Sequence, residues 1–393
     1  MSHSNLEVLL FIETSRAYGR GVIKGVAKYA LEQGDWSFHF EDRSLHDPLP
    51  VWLKNWKGDG IITRTTIPSQ QRIIRSLRIP YVELFGTGSP DVCCDDFQVG
   101  RLAAEHFISR GLFNFAFFSP EMPWWCRHRF ELFSRNLRLF GHECHCFNRR
   151  QKSPRTESPS WNASDDRLLK NWLCKLPKPV GLFAATDAYA LTVLGACRRY
   201  GIHVPDEIAI LGADNDKTIC LSVTPQLSSI DVNSILTGYT AAALLQSRIR
   251  TPSSCPEVPI LTPPAYVVTR QSTDVIAIAD EDVVAALSLL RKNATKGMTV
   301  VEVAGTVGLS LSTLNRRFSR YVGHSPEREI IKCKINEAKK YLRETNLAIS
   351  IISKKAGFEP PEYFIRAFKK EVGLTPIQYR KTFLSTAALE DDE

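Results

Sequence analysis

The sequence predicts an α/β chain in two parts: a two-lobed section of parallel sheets covered by helices, then an all-α section with two helix-turn-helix units. Three observations carry this. Over the first 270 residues, short apolar runs alternate with segments of helical period. Beyond about residue 281 the strand signals stop. Within that last section, two stretches repeat one another at an offset of 49 to 50 residues.

In the first part, "EVLLFIE" (7–13), "WSFHFE" (36–41), "GIIT" (60–63) and "YVELF" (81–85) read as strands, with helices between them at 18–33 and 69–77. Strands joined by helical crossovers imply a parallel sheet covered on both faces. The rhythm then repeats in "FNFAFFS" (113–119), "GLFAAT" (181–186) and "IAILGAD" (208–214), with "QKSPRTESPS" (151–160) as a polar loop. Some 270 residues are ample for two such sheets with a cleft between them. Ligands of open parallel sheets sit beyond the carboxyl ends of the strands.

At those ends stand Glu13, Arg16 and Tyr18 in "ETSRAYGR", Trp124, Trp125 and Arg129 in "PWWCRHR", and Asp187 and Asp214 closing "FAATD" and "LGAD". Carboxylates and arginine bond vicinal hydroxyls cooperatively, and an aromatic face covers the C–H side of a sugar ring. Taken singly, an Asp after a strand is more often a helix cap and a Trp more often core. Their convergence at strand ends marks them as candidate ligand-binding residues.

In the all-α part, "DEDVVAALSLLRKNATKG" places acids in a helix's first turn and bases in its last, as the helix dipole favours. "VVEVAGTVGLSLSTLNRRFSRYVGHSP" (300–326) then aligns with "ISIISKKAGFEPPEYFIRAFKKEVGLTP" (349–376). Phe318 matches Phe368, Gly323 matches Gly373, Ser325-Pro326 matches Thr375-Pro376, and Gly308 matches Gly357. Each copy reads as a short helix, a glycine turn and a second helix. In the first copy Ala304 permits close helix approach, Leu314 and Phe318 face inward, and Ser310 or Ser312 can cap the helix over 311–321. Thr313, Asn315, Arg316, Arg317 and Arg320 are left outside, residue types suited to base edges and phosphate. In the second copy Pro360 and Pro361 start the helix instead of breaking it. Phe364 and Phe368 pair inward, and Glu362, Tyr363, Arg366, Lys369 and Lys370 are left outside.

The charge pattern agrees. The chain of 393 residues carries +8, and between 281 and 389 it holds 19 Lys+Arg against 10 Asp+Glu. The whole surplus therefore lies in the helical part, which favours double-stranded DNA as partner. No apolar run reaches the length of a membrane span and the start "MSHSNLE" lacks signal-peptide character, so a cytoplasmic protein without membrane association is expected. The ten cysteines read as reduced thiols. In "HECHC", His142, Cys144, His145 and Cys146 offer soft ligands, but their alternation suits a strand, and no metal or cofactor is expected. There is no G-x-G-x-x-G after the first strand, no P-loop and no G-x-S-x-G, so catalysis is not expected.

The motifs "DDFQVGRLAAEHFISRGLFNFAFF", "ATDAYALTVLGACRRYGIHVPDEIAILGADN" and "TPQLSSIDVN" resemble the periplasmic-binding-protein-like sensor of LacI/GalR-type transcription regulators. That resemblance implies effector contacts from Arg129, Asp187 and Asp214. It departs at "YVELFGTG", where many sugar-binding relatives have an acidic-basic pair and this chain has Phe85 and Gly86. "GF" followed by "FIRAFKKEVGLTPIQYR" resembles the AraC/XylS-type DNA-binding domain. It implies two units, joined by a helix over 325–345, that enter successive major grooves with Ser310, Ser312, Pro361 and the outward residues above at the DNA, base reading resting mainly on the first copy.

A sensor followed by such a reader is similar to the xylose-regulator family, which implies D-xylose or a related pentose as effector, transcription activation, a homodimer and contact with RNA polymerase. The expected organisation is a sugar-sensing domain at 1–270, a linker at 271–281, a DNA-binding domain at 282–383 and an acidic tail at 384–393. Two alternatives remain open at this point: a different sugar, or a constitutive DNA-binding protein whose first part only dimerises.

Overall fold

The computed structural model describes residues 5–34, 36–44, 47–65, 67–84, 90–147, 163–251, 258–275, 277–278 and 280–380. The chain divides into two compact units, residues 1–106 with 113–275, and residues 107–112 with 276–393.

The first unit has two lobes. One is built from β1 (Leu6–Phe11), α1 (Ala17–Gln33), β2 (Trp36–Phe40), β3 (Gly60–Thr63), α2 (Pro68–Ser76) and β4 (Tyr81–Glu83). Its sheet runs β2-β1-β3-β4, all parallel. Burial on both faces explains the near-continuous apolar run of β1, where Val8, Leu9, Leu10 and Phe11 are all buried. The chain continues through β5 (Val92–Cys94) and α3 (Asp96–Ile108) into β6 (Asn114–Phe118), α4 (Trp124–Leu139), β7 (Cys144–Cys146), α5 (Ala163–Lys175), β8 (Val180–Ala184), α6 (Asp187–Tyr200), β9 (Ile208–Ala213), α7 (Lys217–Leu221) and β10 (Ser228–Asp231).

Helix α8 (Ser234–Arg250) then packs along α1, and β11 (Ile260–Thr262) pairs with β5. A Cβ on Gly25 would lie 2.0 Å from the Ile235 carbonyl oxygen, and one on Gly238 would lie 2.0 Å from that of Val22. These two glycines let the α1 and α8 backbones touch. The last strand, β12 (Tyr266–Val268), closes the second sheet in the order β12-β10-β9-β8-β6-β7, antiparallel only at β12.

The second unit carries α9 (Glu281–Asn293), α10 (Val300–Thr306), α11 (Leu311–Val322), α12 (Pro326–Glu344), α13 (Ile349–Lys355) and α14 (Pro361–Val372). The repeat seen in the sequence is a repeat of conformation. Gly308 and Gly357 take φ of +71° and +80° in the turns, and Gly323 and Gly373 take +80° and +83° behind α11 and α14. L side chains rarely adopt these values, which is why the pattern is glycine-marked. Ser310 caps α11 by accepting from the Thr313 amide at 3.2 Å, and Pro361 opens α14.

Leu314, Phe318 and Val322 bury one face of α11 against Val303, Ala304 and Leu287. Phe364 packs in the equivalent place with ring centroids 5.2 Å from Phe358 and 5.5 Å from Phe368. Phe364→Ala should cost about 3–5 kcal/mol through the cavity it leaves. Denaturant unfolding of the full chain would show this as an earlier transition of the second unit, with the first unit's transition unmoved.

The two units part between 275 and 276, within the stretch 271–281 expected as a linker. Residues expected to begin the linker are instead bonded into the first unit: Ser272 donates to the Ile210 carbonyl at 2.6 Å, and its amide donates to that of Gln226 at 2.9 Å. The second unit also takes in 107–112, through the Ala277 amide donating to the Arg110 carbonyl at 2.7 Å and Arg291 to that of Ser109 at 3.2 Å. Phe85, Gly86, the 151–160 loop and the 384–393 tail lie outside the described residues. Within "HECHC", Cys144–Cys146 form edge strand β7, with Cys144 and Cys146 half-buried and His145 exposed. Among the described residues no cluster of His, Cys, Asp or Glu is placed to hold a metal ion, and no helix is long and apolar enough to cross a membrane.

Candidate functional site

The carboxyl ends of β1, β3, β5, β8 and β9 and the start of α4 converge on one cavity of ≈ 290 Å³. Of the sequence-predicted residues, Arg16, Tyr18, Trp124, Trp125, Arg129 and Asp214 line it. Glu13 and Asp187 do not. Each is buried and holds a residue or loop that does line the cavity.

Glu13, 1% exposed, forms an ion pair with Arg64, which follows β3 and contributes to the wall. The Arg64 guanidinium lies 4.7 Å from the centre of the Tyr18 ring. Burial alone would depress Arg64, but Glu13 outweighs it and keeps the guanidinium charged. The other Glu13 oxygen, Oε2, is buried with no hydrogen-bond partner among the described residues.

Asp187 accepts from Ser229 Oγ at 2.6 Å and from the Asp216 amide at 2.8 Å. A Cβ on Gly212 would stand 2.1 Å from its Oδ1, so glycine there makes room for the carboxyl. Burial and then the neighbouring Asp214 push the Asp187 carboxyl well above the usual carboxylate range. It therefore serves as a post for the loop that presents Asp214.

That loop is strained: Asp214 has φ +105° and Asn215 +51°, values that cost non-glycine residues on the order of 1–3 kcal/mol. Bonds from Arg270 to Asn215 Oδ1 (2.8 Å) and from the Asp214 amide to the Ile230 carbonyl (2.9 Å) hold it.

Arg129 donates through Nε to Asp96 Oδ1 and through Nη1 to the Ala185 carbonyl, both at 2.7 Å. Burial opposes its charge, but Asp96 and Asp214 raise it above the ordinary arginine value. The cavity also gains Asp95, Asp96 and Thr186, none foreseen as site residues. Asp95 is occupied as a cap, accepting from the amides of Phe97 and Gln98 at 3.0 and 3.1 Å. Thr186 likewise caps α6. Three arginines facing three aspartates give a wall rich in donors and acceptors with no charge excess, the chemistry of a neutral polyol site.

Asp214 titrates within reach of experiment. Burial lifts it to about 6, against the opposing pull of Arg129, Arg64 and Arg16. Below that pH it is protonated and loses acceptor capacity. Affinity for a neutral polyol should be highest above pH about 6 and decline as the pH falls through it. Calorimetry from pH 5 to 8 would show this slope in the native chain and a flat profile in Asp214→Asn.

On the second unit, Ser312, Arg316 and Arg320 of α11 are exposed, while Thr313 and Asn315 are half-buried. Ser310 is spent on capping α11. Arg317 does not project freely: its Nε donates to Asp280 Oδ2 at 2.6 Å, and Nη2 lies 3.1 Å from Asp282. On α14, Pro361, Glu362, Tyr363, Arg366, Lys369 and Lys370 are all exposed, opposite buried Phe364 and Phe368.

Comparison with known proteins fits this anatomy. A XylR N-terminal domain matches residues 7–91, a periplasmic binding protein-like domain 104–273, and a helix-turn-helix domain 289–382. The xylose operon regulatory protein of Escherichia coli K12 is 30% identical over 95% of this chain and 96% of its own length. That of Haemophilus influenzae is 27% identical over 97% and 99%. The solved structure described as the xylose-binding transcription activator xylR superposes with a TM-score of 0.60 at 28% identity, covering 98% of this chain and all of that one. A ribose-bound LacI family regulator from Enterococcus faecium, 21% identical with a TM-score of 0.53 over 68% of this chain, shares the fold of the first unit. With matching domains in the same order along almost its whole length, the chain belongs to the family of xylose operon regulatory proteins, sugar-responsive regulators of transcription and not enzymes.

Proposed function

We propose that the protein is a D-xylose-dependent activator of pentose-utilisation genes, acting as a cytoplasmic homodimer on promoter half-sites and contacting RNA polymerase there. The observation that carries the reading is the cavity in which Arg64, Arg129 and Asp214 stand beside Tyr18 and Trp125, with Trp124 at its outer end. Charged groups held in place by Glu13 and Asp96 are preorganised to bond hydroxyls, and the aromatic faces suit the C–H side of a pyranose.

Sugar bridges residues of both lobes and draws them together. The closed form is favoured only by the sugar's extra affinity for it. Closure repositions the paired readers, and α11 with Arg316 and Arg320 takes the major groove while Lys369 and Lys370 of α14 hold phosphate. The names of the relatives support xylose as the first sugar to test.

Calorimetry with a panel of pentoses and hexoses, followed by anisotropy on promoter DNA with and without the binding sugar, tests each part. D-Xylose should bind tightest among the monosaccharides and tighten DNA binding. A constitutive protein would bind DNA equally with and without any sugar, and a hexose preference would reassign the effector.

A further inference from the structure

Lobe closure would shrink the ≈ 290 Å³ cavity, but the make-up of its wall goes beyond what a pentose requires. The charged groups that would bond a ring's hydroxyls, Arg64, Arg129 and Asp214, fill only part of the wall. Another part is hydrocarbon and aromatic: Phe97, Trp124, His128 and Leu261.

These side chains remain substantially exposed, Phe97 at 36%, Trp124 at 40% and Leu261 at 55%, so they form the outer part of the cavity. Trp124 and His128, one helical turn apart on α4, stack with centroids 5.5 Å apart and planes within 7°. Two flat rings with polar N–H edges make a firm platform. A platform of this kind suits a second sugar ring, whose C–H face needs cover while its hydroxyls stay wet.

We propose that this outer platform is a second sugar subsite, and that the cavity takes a pentose disaccharide, with the inner ring on the charged groups and the outer ring on Trp124 and Phe97. The inference rests on the sugar-effector reading above and extends it from a monosaccharide to a short oligosaccharide. The outer ring adds stacking and apolar burial to a site whose polar end is already satisfied by the first.

Calorimetry on the full chain with D-xylose, β-1,4-xylobiose and 4-nitrophenyl β-D-xyloside tests it, the readout being the ratio of affinities. Xylobiose should bind about tenfold more tightly than xylose, and Trp124→Ala or Phe97→Ala should bring that ratio to roughly threefold or less. Two variants are used so that a folding defect in one, visible as a lost thermal transition, leaves the other to decide. Equal or weaker binding of xylobiose by the native chain overturns the proposal, as does a ratio that survives both substitutions. A nitrophenyl xyloside that matches or exceeds xylobiose overturns the disaccharide in favour of a flat aglycone. If xylose binds and xylobiose gains nothing, only the second subsite fails. If no sugar binds at all, the effector reading fails with it.

Discussion

Arg129→Met should weaken effector binding by about two orders of magnitude and also destabilise the first unit, and the two losses should separate when Asp96→Asn is added. The Arg129 guanidinium underlies both effects. It spends Nε on Asp96 and Nη1 on the Ala185 carbonyl, and lines the cavity beside Asp214. Both members of the ion pair are nearly buried, with side-chain exposures of 8% and 13%. Removing the cation strands a carboxylate in a poorly solvated place, at a cost of about 3–5 kcal/mol. Asparagine at 96 removes that stranded charge, so the double variant should recover most of the melting temperature. It should not recover effector affinity, because the Arg129 guanidinium is still missing from the cavity wall and Arg16 and Arg64 stand elsewhere in it. Arg129→Lys should retain the charge but lose the fork that reaches both partners, giving intermediate binding. Melting curves and calorimetry on the three variants decide. Effector affinity that returns with stability in the double variant would reduce Arg129 to a structural role.

How much of this was legible in the sequence depended on how local the cause was. The helix-turn-helix repeat was readable because Gly308, Gly357, Gly323 and Gly373 sit where the backbone needs positive φ, and because Phe318 and Phe368 fall at the same place in each copy. The strand-end rule located Arg16, Tyr18, Trp124, Trp125, Arg129 and Asp214 at one cavity. It also put Glu13 and Asp187 there, and these turned out to hold the wall from behind, since strand ends specify a neighbourhood but not a side-chain direction. Arg64 was missed because a lone basic residue after a four-residue strand resembles any surface arginine. Its ion pair with the buried Glu13, 51 positions away, sets it in the cavity wall. The same non-locality hid the recruitment of 107–112 into the second unit and the pairing of Arg317 with Asp280.

That last pairing sharpens what the DNA experiments should show. Arg316→Ala should lower affinity for the cognate site by about 1–3 kcal/mol and relax discrimination at one base pair, while leaving non-cognate binding nearly unchanged. Arg316 is exposed on α11, on the side away from Leu314, Phe318 and Val322. A guanidinium there is free to address a guanine edge. Lys369→Ala with Lys370→Ala should act differently, weakening all sequences alike and reducing the salt slope by about one for each phosphate that a lysine neutralises. Arg317→Ala belongs to neither class. Its guanidinium is forked onto Asp280, the N-cap of α9, so its loss should lower the thermal stability of the second unit and affect DNA only through that. Anisotropy with a cognate site, its single-base variants and non-cognate DNA at several salt concentrations separates the three. If Arg317→Ala relaxed base discrimination with stability intact, Arg317 would have to leave Asp280 on meeting DNA, and the fork would be an ion pair that DNA breaks. If Arg316→Ala lowered affinity for every sequence equally, the reading surface would have to be sought elsewhere on α11, first at Ser312 and Arg320, the other exposed polar residues of the predicted set on this helix.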